Sequence, residues 1–245
     1  VIFDGRKTQS WGMTALIVGA RKEAGGGVRE GWSVFRGTQN LVGLFSFEDN
    51  TTPKPEEILD KRGIFDDYNG KCNYQITTGV VGNFDTEGWG VIKYTNLTST
   101  GEPGQDVLWV DTDFPLFRLG DVYLMYAEAV ARGGEGGDIS TAVGYVNELR
   151  DRAYGETPHN KIDAAWLTAN NYQNILDERG RELYWEGVRR IDLIRFGKYT
   201  SSSYTWPAKG GVITGVGVNE RYNIFPIPIS DISVNGSLEQ NEGYK

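Results

Sequence analysis

The feature that most constrains the fold is a helical repeat of apolar side chains in residues 118–199. Apolar residues recur with the spacing i, i+3, i+4, i+7 at Leu119, Val122, Tyr123, Tyr126 and Val130, and again at Ile139, Ala142, Val143, Val146 and Leu149. This spacing places one apolar stripe on each of two α-helices. A glycine-rich turn at 133–137 separates the stripes, and Asp138 is a suitable N-cap for the second helix. We predict an antiparallel helical hairpin of tetratricopeptide type.

A third helix is predicted from Asn174 to Phe196. Its apolar face consists of Leu176, Leu183, Tyr184, Ile191 and Ile194. The remaining positions are densely charged, and the pairs Asp177–Arg181 and Glu186–Arg190 have the i, i+4 spacing of helical ion pairs.

The rest of the chain has a different texture, with short apolar runs between clusters of turn-forming residues. We predict a mainly α protein with irregular, loop-rich regions. It divides into a loop-rich region at 1–117, a helical core at 118–199 and a tail at 200–245 that packs on the core, all within a single domain. The segment 225–228 (FPIP) cannot be helical because of its prolines.

Charge and residue counts exclude several classes of protein. The chain has 245 residues, 25 Lys and Arg against 33 Asp and Glu, and a net charge of −8, which argues against nucleic acid as a partner. No apolar stretch approaches the length of a membrane span. The single Cys72 excludes an intrachain disulfide framework. The single His159 lies in a turn-like stretch, so we expect an exposed loop histidine and no histidine-based triad or zinc site.

Three glutamates spaced one helical turn apart leave an enzymatic alternative open. Glu178, Glu182 and Glu186 could supply the paired carboxylates of a glycoside hydrolase. Arginines within a turn of each would keep them ionised, however, whereas a general acid needs a raised pKa. An ion-pair network is therefore the favoured interpretation. The aspartates of 66–70 and 111–113 lack the spacing of a calcium loop and are interpreted as turns. We expect no metal site and no cofactor.

Aromatic residues are the remaining candidates for binding. The chain has seven Trp and 13 Tyr, and a flat indole face is complementary to the C–H face of a pyranose ring. The segment 31–40 combines Trp32 with Arg36 and Asn40, whose side chains can bond sugar hydroxyls. We predict Trp32 as the main platform, with Tyr68 or Trp11 as a second.

The C-terminal half resembles the SusD/RagB family at five places. The matching segments are 118–129 (RLGDVYLMYAEA), 146–152 (VNELRDR), 175–197 (ILDERGRELYWEGVRRIDLIRFG), 225–228 (FPIP) and 240–244 (QNEGY). Weaker similarity reaches Lys93 and Tyr94. Members of this family carry a further N-terminal region with a lipidated cysteine, so the resemblance implies that this chain corresponds to the C-terminal portion of one.

The resemblance implies a function as well as a fold. SusD-like proteins are lipid-anchored at the outer surface of Bacteroidetes cells, where they bind glycans over a SusC-like TonB-dependent transporter and perform no catalysis. The expected partners are therefore an oligosaccharide or polysaccharide and that transporter, with membrane attachment only through the lipid anchor of the N-terminal region. The family motifs are scaffold and not site, so the candidate site residues rest on the aromatic pattern alone. Alternatives are a peptide or other nutrient as ligand, a glycoside hydrolase, or a subunit whose aromatics meet the transporter.

Overall fold

A computed structural model describes residues 2–3, 11–48, 53–78, 86–155 and 160–245. The described residues form a mainly helical protein with short strands and long irregular connections, as the sequence predicts. The helices are α1 Trp11–Ala20, α2 Gln39–Val42, α3 Leu119–Ala131, α4 Ile139–Tyr154, α5 Ala164–Leu183, α6 Arg189–Arg195 and α7 Ile229–Val234. No helix in this part of the chain combines the length and the apolar character needed to cross a membrane.

Two small antiparallel sheets organise the first half of the chain. The strands are β1 Ile2–Phe3, β2 Arg36–Gly37, β3 Phe65–Asp66, β4 Trp89–Val91 and β5 Phe114–Pro115. Strand β1 pairs with β5, and β4 lies between β2 and β3. In the second sheet Arg36 is opposite Gly90 and Phe65 is opposite Val91.

The predicted helical hairpin is present as α3 and α4. The carboxylate of Asp138 accepts a hydrogen bond of 2.7 Å from the backbone N–H of Thr141, which confirms the predicted N-cap. The predicted stripe on α3 is partly wrong, because Leu119 is 61% exposed and Val122 is also exposed. The inward positions of that turn are held by Gly120 and by Asp121, which contacts an arginine of α5.

The predicted third helix is divided in two. Its first part ends at Leu183, and α6 begins only at Arg189. Between them Trp185 has φ = 63° and Gly187 has φ = 78°, a left-handed conformation that an α-helix cannot continue. The continuous helix predicted from Asn174 to Phe196 is therefore wrong over 184–188. The predicted face also shifts, since Ile191 is exposed and Leu193 is buried.

Three clusters of buried apolar residues form the core. The first lies in the loop-rich half and includes Phe65, Trp89 and, from the break after α5, Tyr184. The second joins α3, α4 and α5, and includes Leu124, Val146 and Ile175. The third packs beneath α1 and includes Ile17, Val28 and Val110. Tyr184 therefore belongs to the core of the loop-rich half although it follows a helix of the other half.

The tail contacts α6 of the helical core. The guanidinium group of Arg190 donates a 2.5 Å hydrogen bond to the carbonyl oxygen of Tyr222 and lies 4.2 Å from the centre of the Phe225 ring. This contact replaces the predicted helical pair of Arg190 with Glu186. The segment 225–228 is non-helical, as predicted.

Candidate functional site

Three tryptophans meet at the surface of the loop-rich half. Trp11 begins α1, and its ring centre lies 6.1 Å from that of Trp32, with the two planes 15° apart. The ring of Trp109 meets that of Trp11 edge-on at 5.9 Å. Trp11 is 42% exposed and Trp32 is 41% exposed. We call Trp11 and Trp32 the indole pair, since part of each ring remains open to solvent while the two rings stay nearly parallel.

A strap of backbone, residues 32–35, holds Trp32 against the end of α1. The N–H of Trp32 donates to the carbonyl oxygen of Val18 at 2.8 Å, and the N–H of Phe35 donates to that of Gly19 at 2.8 Å. These are carbonyls that a helix end leaves unpaired, so the strap satisfies them. A Cβ atom at Gly19 would lie 2.3 Å from the Phe35 ring, which explains why glycine is needed there.

Arg36 and Tyr68 form a second contact behind the strap. The guanidinium group of Arg36 donates to the carbonyl oxygen of Gly88 at 2.8 Å and to the Ser33 hydroxyl at 2.5 Å, and it lies 4.2 Å from the centre of the Tyr68 ring. Tyr68 is only 5% exposed, and its hydroxyl donates to the carbonyl oxygen of Ala20. Burial raises the pKa of Tyr68, although the Arg36 charge opposes this. Of the two residues predicted as a second aromatic platform, Trp11 lies beside Trp32, and Tyr68 is buried beneath Arg36.

The structure separates the predicted site residues into three groups. The indole pair forms one group, and Arg36 with Tyr68 forms the second. Asn40 lies in α2, where its amide donates a 2.9 Å hydrogen bond to the carbonyl oxygen of Thr205 in the tail. Asn40 thus connects the loop-rich half to the tail.

Sequence reasoning did not single out two further aromatics, the exposed Phe35 and the partly buried Trp185. The rings of Phe35 and Trp185 meet edge-on, with centres 6.0 Å apart, and together with Leu16 and Phe114 they line an open depression of about 550 Å³. Phe35 lies within the aromatic segment 31–40 and could have been found there. Trp185 could not have been found from the sequence. The sequence predicts a continuous helix at this position, whereas the structure has a left-handed backbone conformation that places the Trp185 ring beside Phe35.

Glu178 is a buried carboxylate held by three arginines. Arg62, Arg150 and Arg181 approach its oxygens at 2.9, 2.8 and 2.7 Å respectively. Burial alone would raise the pKa of Glu178, but the three positive charges lower it to about 2. The contact with Arg181 replaces the predicted pair of Arg181 with Asp177.

Glu182, one turn further along α5, is also a buried carboxylate surrounded by three arginines. Its carboxylate contacts Arg62 at 2.9 Å, Arg118 at 2.5 Å and Arg152 at 2.5 Å. Burial alone would raise the pKa of Glu182, but the larger effect of the arginine charges lowers it to about 2. A general acid of a glycoside hydrolase needs a carboxyl group that is protonated near neutral pH. Glu178 and Glu182 have the opposite property and act as structural anions.

The aspartates considered for calcium lie in hydrogen-bonded turns. Asp66 accepts from the N–H of Tyr68 at 2.7 Å, and Asp67 accepts from the N–H of Gly70 at 2.9 Å. Among the described residues, no group of three or more His, Cys, Asp or Glu side chains is arranged to hold a metal ion. His159 lies outside the described residues.

The mainly α fold agrees with the comparisons to known proteins. The family model for the SusD family matches residues 65–244, and the chain belongs to the SusD family. It is 34% identical to the starch-binding protein SusD of Bacteroides thetaiotaomicron over an alignment 277 positions long, which covers 99% of this chain and 48% of that protein. The chain is also 30% identical to a SusD-like protein of Formosa agariphila. That alignment covers 53% of this chain and 24% of that protein.

Solved structures show the same fold. A SusD superfamily protein from Bacteroides fragilis matches with a TM-score of 0.54 and 22% identity, covering 90% of this chain and 43% of that one. A second, from Parabacteroides distasonis, matches with a TM-score of 0.53 and 23% identity over 85% of this chain and 42% of that one. The chain spans about half the length of the SusD protein that it matches. The resemblance stated from the sequence motifs is confirmed.

Proposed function

We propose that this chain binds oligosaccharides or polysaccharides at the indole pair. The observation that carries the proposal is the pair of half-exposed, nearly parallel indole rings of Trp11 and Trp32. Indole faces stack on the C–H faces of sugar rings, and each such contact contributes about 1 kcal/mol. Two platforms supply only part of the roughly 4 kcal/mol that millimolar binding requires, so hydrogen bonds to the sugar hydroxyls must add the rest, and we expect weak binding, roughly micromolar to millimolar.

Two further observations support the binding of a glycan without its hydrolysis. The SusD relative that is 34% identical is named a starch-binding protein. The buried carboxylates Glu178 and Glu182 are locked as anions by arginines, which disfavours hydrolysis at α5. In this proposal residues 1–117 form the ligand-binding region, with the helical core and tail as its support.

The proposal extends to a partner and a location through the family. A SusC-like TonB-dependent transporter is the proposed recipient of the glycan, and the proposed location is the cell outer membrane, on its outer surface. Attachment there would occur through a lipid anchor on the N-terminal region.

Calorimetric titration against a panel of glycans tests the binding proposal. Malto-oligosaccharides come first because of the SusD relative, followed by plant, host and microbial polysaccharides and by peptides. We expect saturable binding to one glycan class, and chromatography of the ligand afterwards should show it uncleaved. Binding to peptides alone would replace glycan by peptide as the ligand, and cleavage products would establish an enzyme.

A further inference from the structure

A charged pocket lies at the end of α1, next to the strap that carries Trp32. It has a volume of about 440 Å³, within the range of about 300–1,000 Å³ that is usual for small-molecule sites. Its walls come from three separate segments of the chain, 21–26, 66–71 and 95–97. The N–H of Ser33 in the strap donates to the carbonyl oxygen of Arg21 at 2.7 Å. The strap therefore connects this pocket to the indole pair.

Arg21 is a partly buried cation in the wall of this pocket. Its Nη2 donates a 3.3 Å hydrogen bond to the carbonyl oxygen of Tyr94, and no carboxylate among the described residues forms an ion pair with it. Burial lowers the pKa of Arg21, and the charge of Asp66 opposes this only in part. A cation that loses water without gaining a counter-ion is unfavourable, so an anion that arrives with a ligand would stabilise it.

The guanidinium group of Arg21 is held in position by a glycine. A Cβ atom at Gly26 would lie 2.3 Å from Nη2 of Arg21, and φ of Gly26 is 63°. Glycine at this position therefore allows the guanidinium group to lie directly against the backbone. Binding to a group that is already in position loses less conformational entropy.

Positive side chains outnumber negative ones around the pocket. The charged residues that line it are the cations Arg21, Lys22 and Lys71 and the carboxylates Glu23 and Asp66. The Asp66 carboxylate already accepts a 2.7 Å hydrogen bond from the N–H of Tyr68. Lys71 is exposed and has no ion pair within the described part of the chain. The pocket is thus locally positive on a chain of net charge −8, and it favours an anion.

The negative end of α1 does not oppose an anion here. The carbonyl oxygens of Val18 and Gly19 accept hydrogen bonds from N–H groups of the strap, and that of Ala20 accepts from the Tyr68 hydroxyl. These donors neutralise the partial charges that a helix end otherwise presents.

We propose that this pocket binds an oxyanion carried by a sugar unit, either a uronic acid carboxylate or a sulfate ester. Arg21 donates through Nη1 and the second hydrogen of Nη2, which gives the two parallel hydrogen bonds that guanidinium groups form with oxyanions. Lys71 adds a second positive charge, and Asn69 and Thr95 line the same pocket and bond the sugar hydroxyls. The assignment of the oxyanion to a sugar rests on the proposed glycan function and narrows the ligand to an acidic glycan.

Nuclear magnetic resonance with single sugars tests this proposal. The backbone N–H signals of Gly25 and Gly26 report on the pocket, and the indole N–H signal of Trp32 reports on the indole pair. Methyl β-glucuronide or glucose 6-sulfate should shift the glycine signals in a saturable way and bind at least five-fold more tightly than methyl β-glucoside. Added NaCl should weaken the binding, because salt screens the attraction. The acid that binds more tightly identifies the oxyanion as carboxylate or sulfate.

Two results would overturn the proposal. One is equal affinity for both acids and the neutral glucoside, or glycine signals that stay unmoved up to the solubility limit. The other is binding of acetate and inorganic sulfate as tight as that of the sugar acids, since the pocket would then take a free anion. We expect each free anion to bind at least five-fold more weakly than the corresponding sugar acid.

Variants separate this pocket from the indole pair. Lys71→Glu should weaken the tighter sugar acid at least ten-fold, and Lys209→Glu, at another exposed lysine, should leave its affinity unchanged. Arg21→Gln, if folded, should lower the affinity at least as much. Trp32→Ala should leave the affinity for the single sugar acid unchanged, so failure of the indole pair and failure of this pocket are distinguishable. Retained affinity in Lys71→Glu, which alters only an exposed side chain, would contradict the assignment.

Discussion

The ammonium group of Lys93 donates a 2.8 Å hydrogen bond to the carbonyl oxygen of Tyr184, where the chain leaves α5. The same group donates to the carbonyl oxygen of Glu182 at 3.1 Å and contacts the carboxylate of Glu186 at 2.5 Å. Helix ends leave carbonyl oxygens without hydrogen-bond donors, and here a lysine about ninety residues away in sequence donates to them. The break at 184–188 is therefore stabilised from outside the helix.

Replacing Lys93 by Met should destabilise the fold strongly. The variant leaves two carbonyl oxygens and the Glu186 carboxylate without this donor, which we expect to lower the free energy of unfolding by about 2–4 kcal/mol. Urea denaturation measures the change. Lys245→Met is the control, because its pair with Glu239 is highly exposed and contributes at most about 1 kcal/mol. Similar losses from both variants would show that Lys93 does not hold the break.

Stability should fall in acid because of Glu178. Its pKa of about 2 lies below the ordinary value of 4.5, so the carboxylate stabilises the folded state fully above about pH 4.5. That contribution, roughly 3 kcal/mol, is lost as the pH falls from about 4.5 toward 2. Unfolding free energies measured across this range should therefore drop less steeply in Glu178→Gln than in the unaltered chain. Parallel profiles for the two proteins would contradict the assignment.

Glu178→Gln should also be less stable at neutral pH. Removing the negative charge leaves three arginines close together in a buried setting, which we expect to cost about 3–5 kcal/mol. Glu239→Gln, on the exposed tail, should change neither the neutral stability nor its pH profile.

Tyr68→Phe distinguishes a structural tyrosine from a ligand platform. The variant keeps the ring under Arg36 but removes the hydroxyl that donates to the carbonyl oxygen of Ala20. We expect a loss of about 1–2 kcal/mol in the free energy of unfolding and a glycan affinity within two-fold of the original. Unchanged stability together with weaker glycan binding would instead make Tyr68 a ligand contact.

The sequence predicts the helices that local patterns determine. The apolar repeats and the cap at Asp138 locate α3 and α4, because helix formation and capping depend on residues only a few positions apart. The break after α5 is not predictable in this way. Tyr184 continues the apolar pattern of a helix, and only its burial beside Phe65 and the donors Lys93 and Arg118 make the break favourable.

The candidate site is partly predictable for the same reason. Composition and turn context single out Trp32 and Trp11 as exposed aromatics, but not their mutual stacking. The burial of Tyr68 depends on Arg36 and on the end of α1, which are distant in sequence.

The most direct test of the central claim is calorimetric titration of Trp32→Ala with the glycan that binds the unaltered chain. Tyr222→Ala is the matched control, since Tyr222 is 40% exposed and Trp32 is 41% exposed. We predict at least a ten-fold loss of affinity in Trp32→Ala, an unchanged midpoint of thermal unfolding, and unaltered binding by the control. Equal affinities for Trp32→Ala and the unaltered chain would contradict the indole pair as the glycan site.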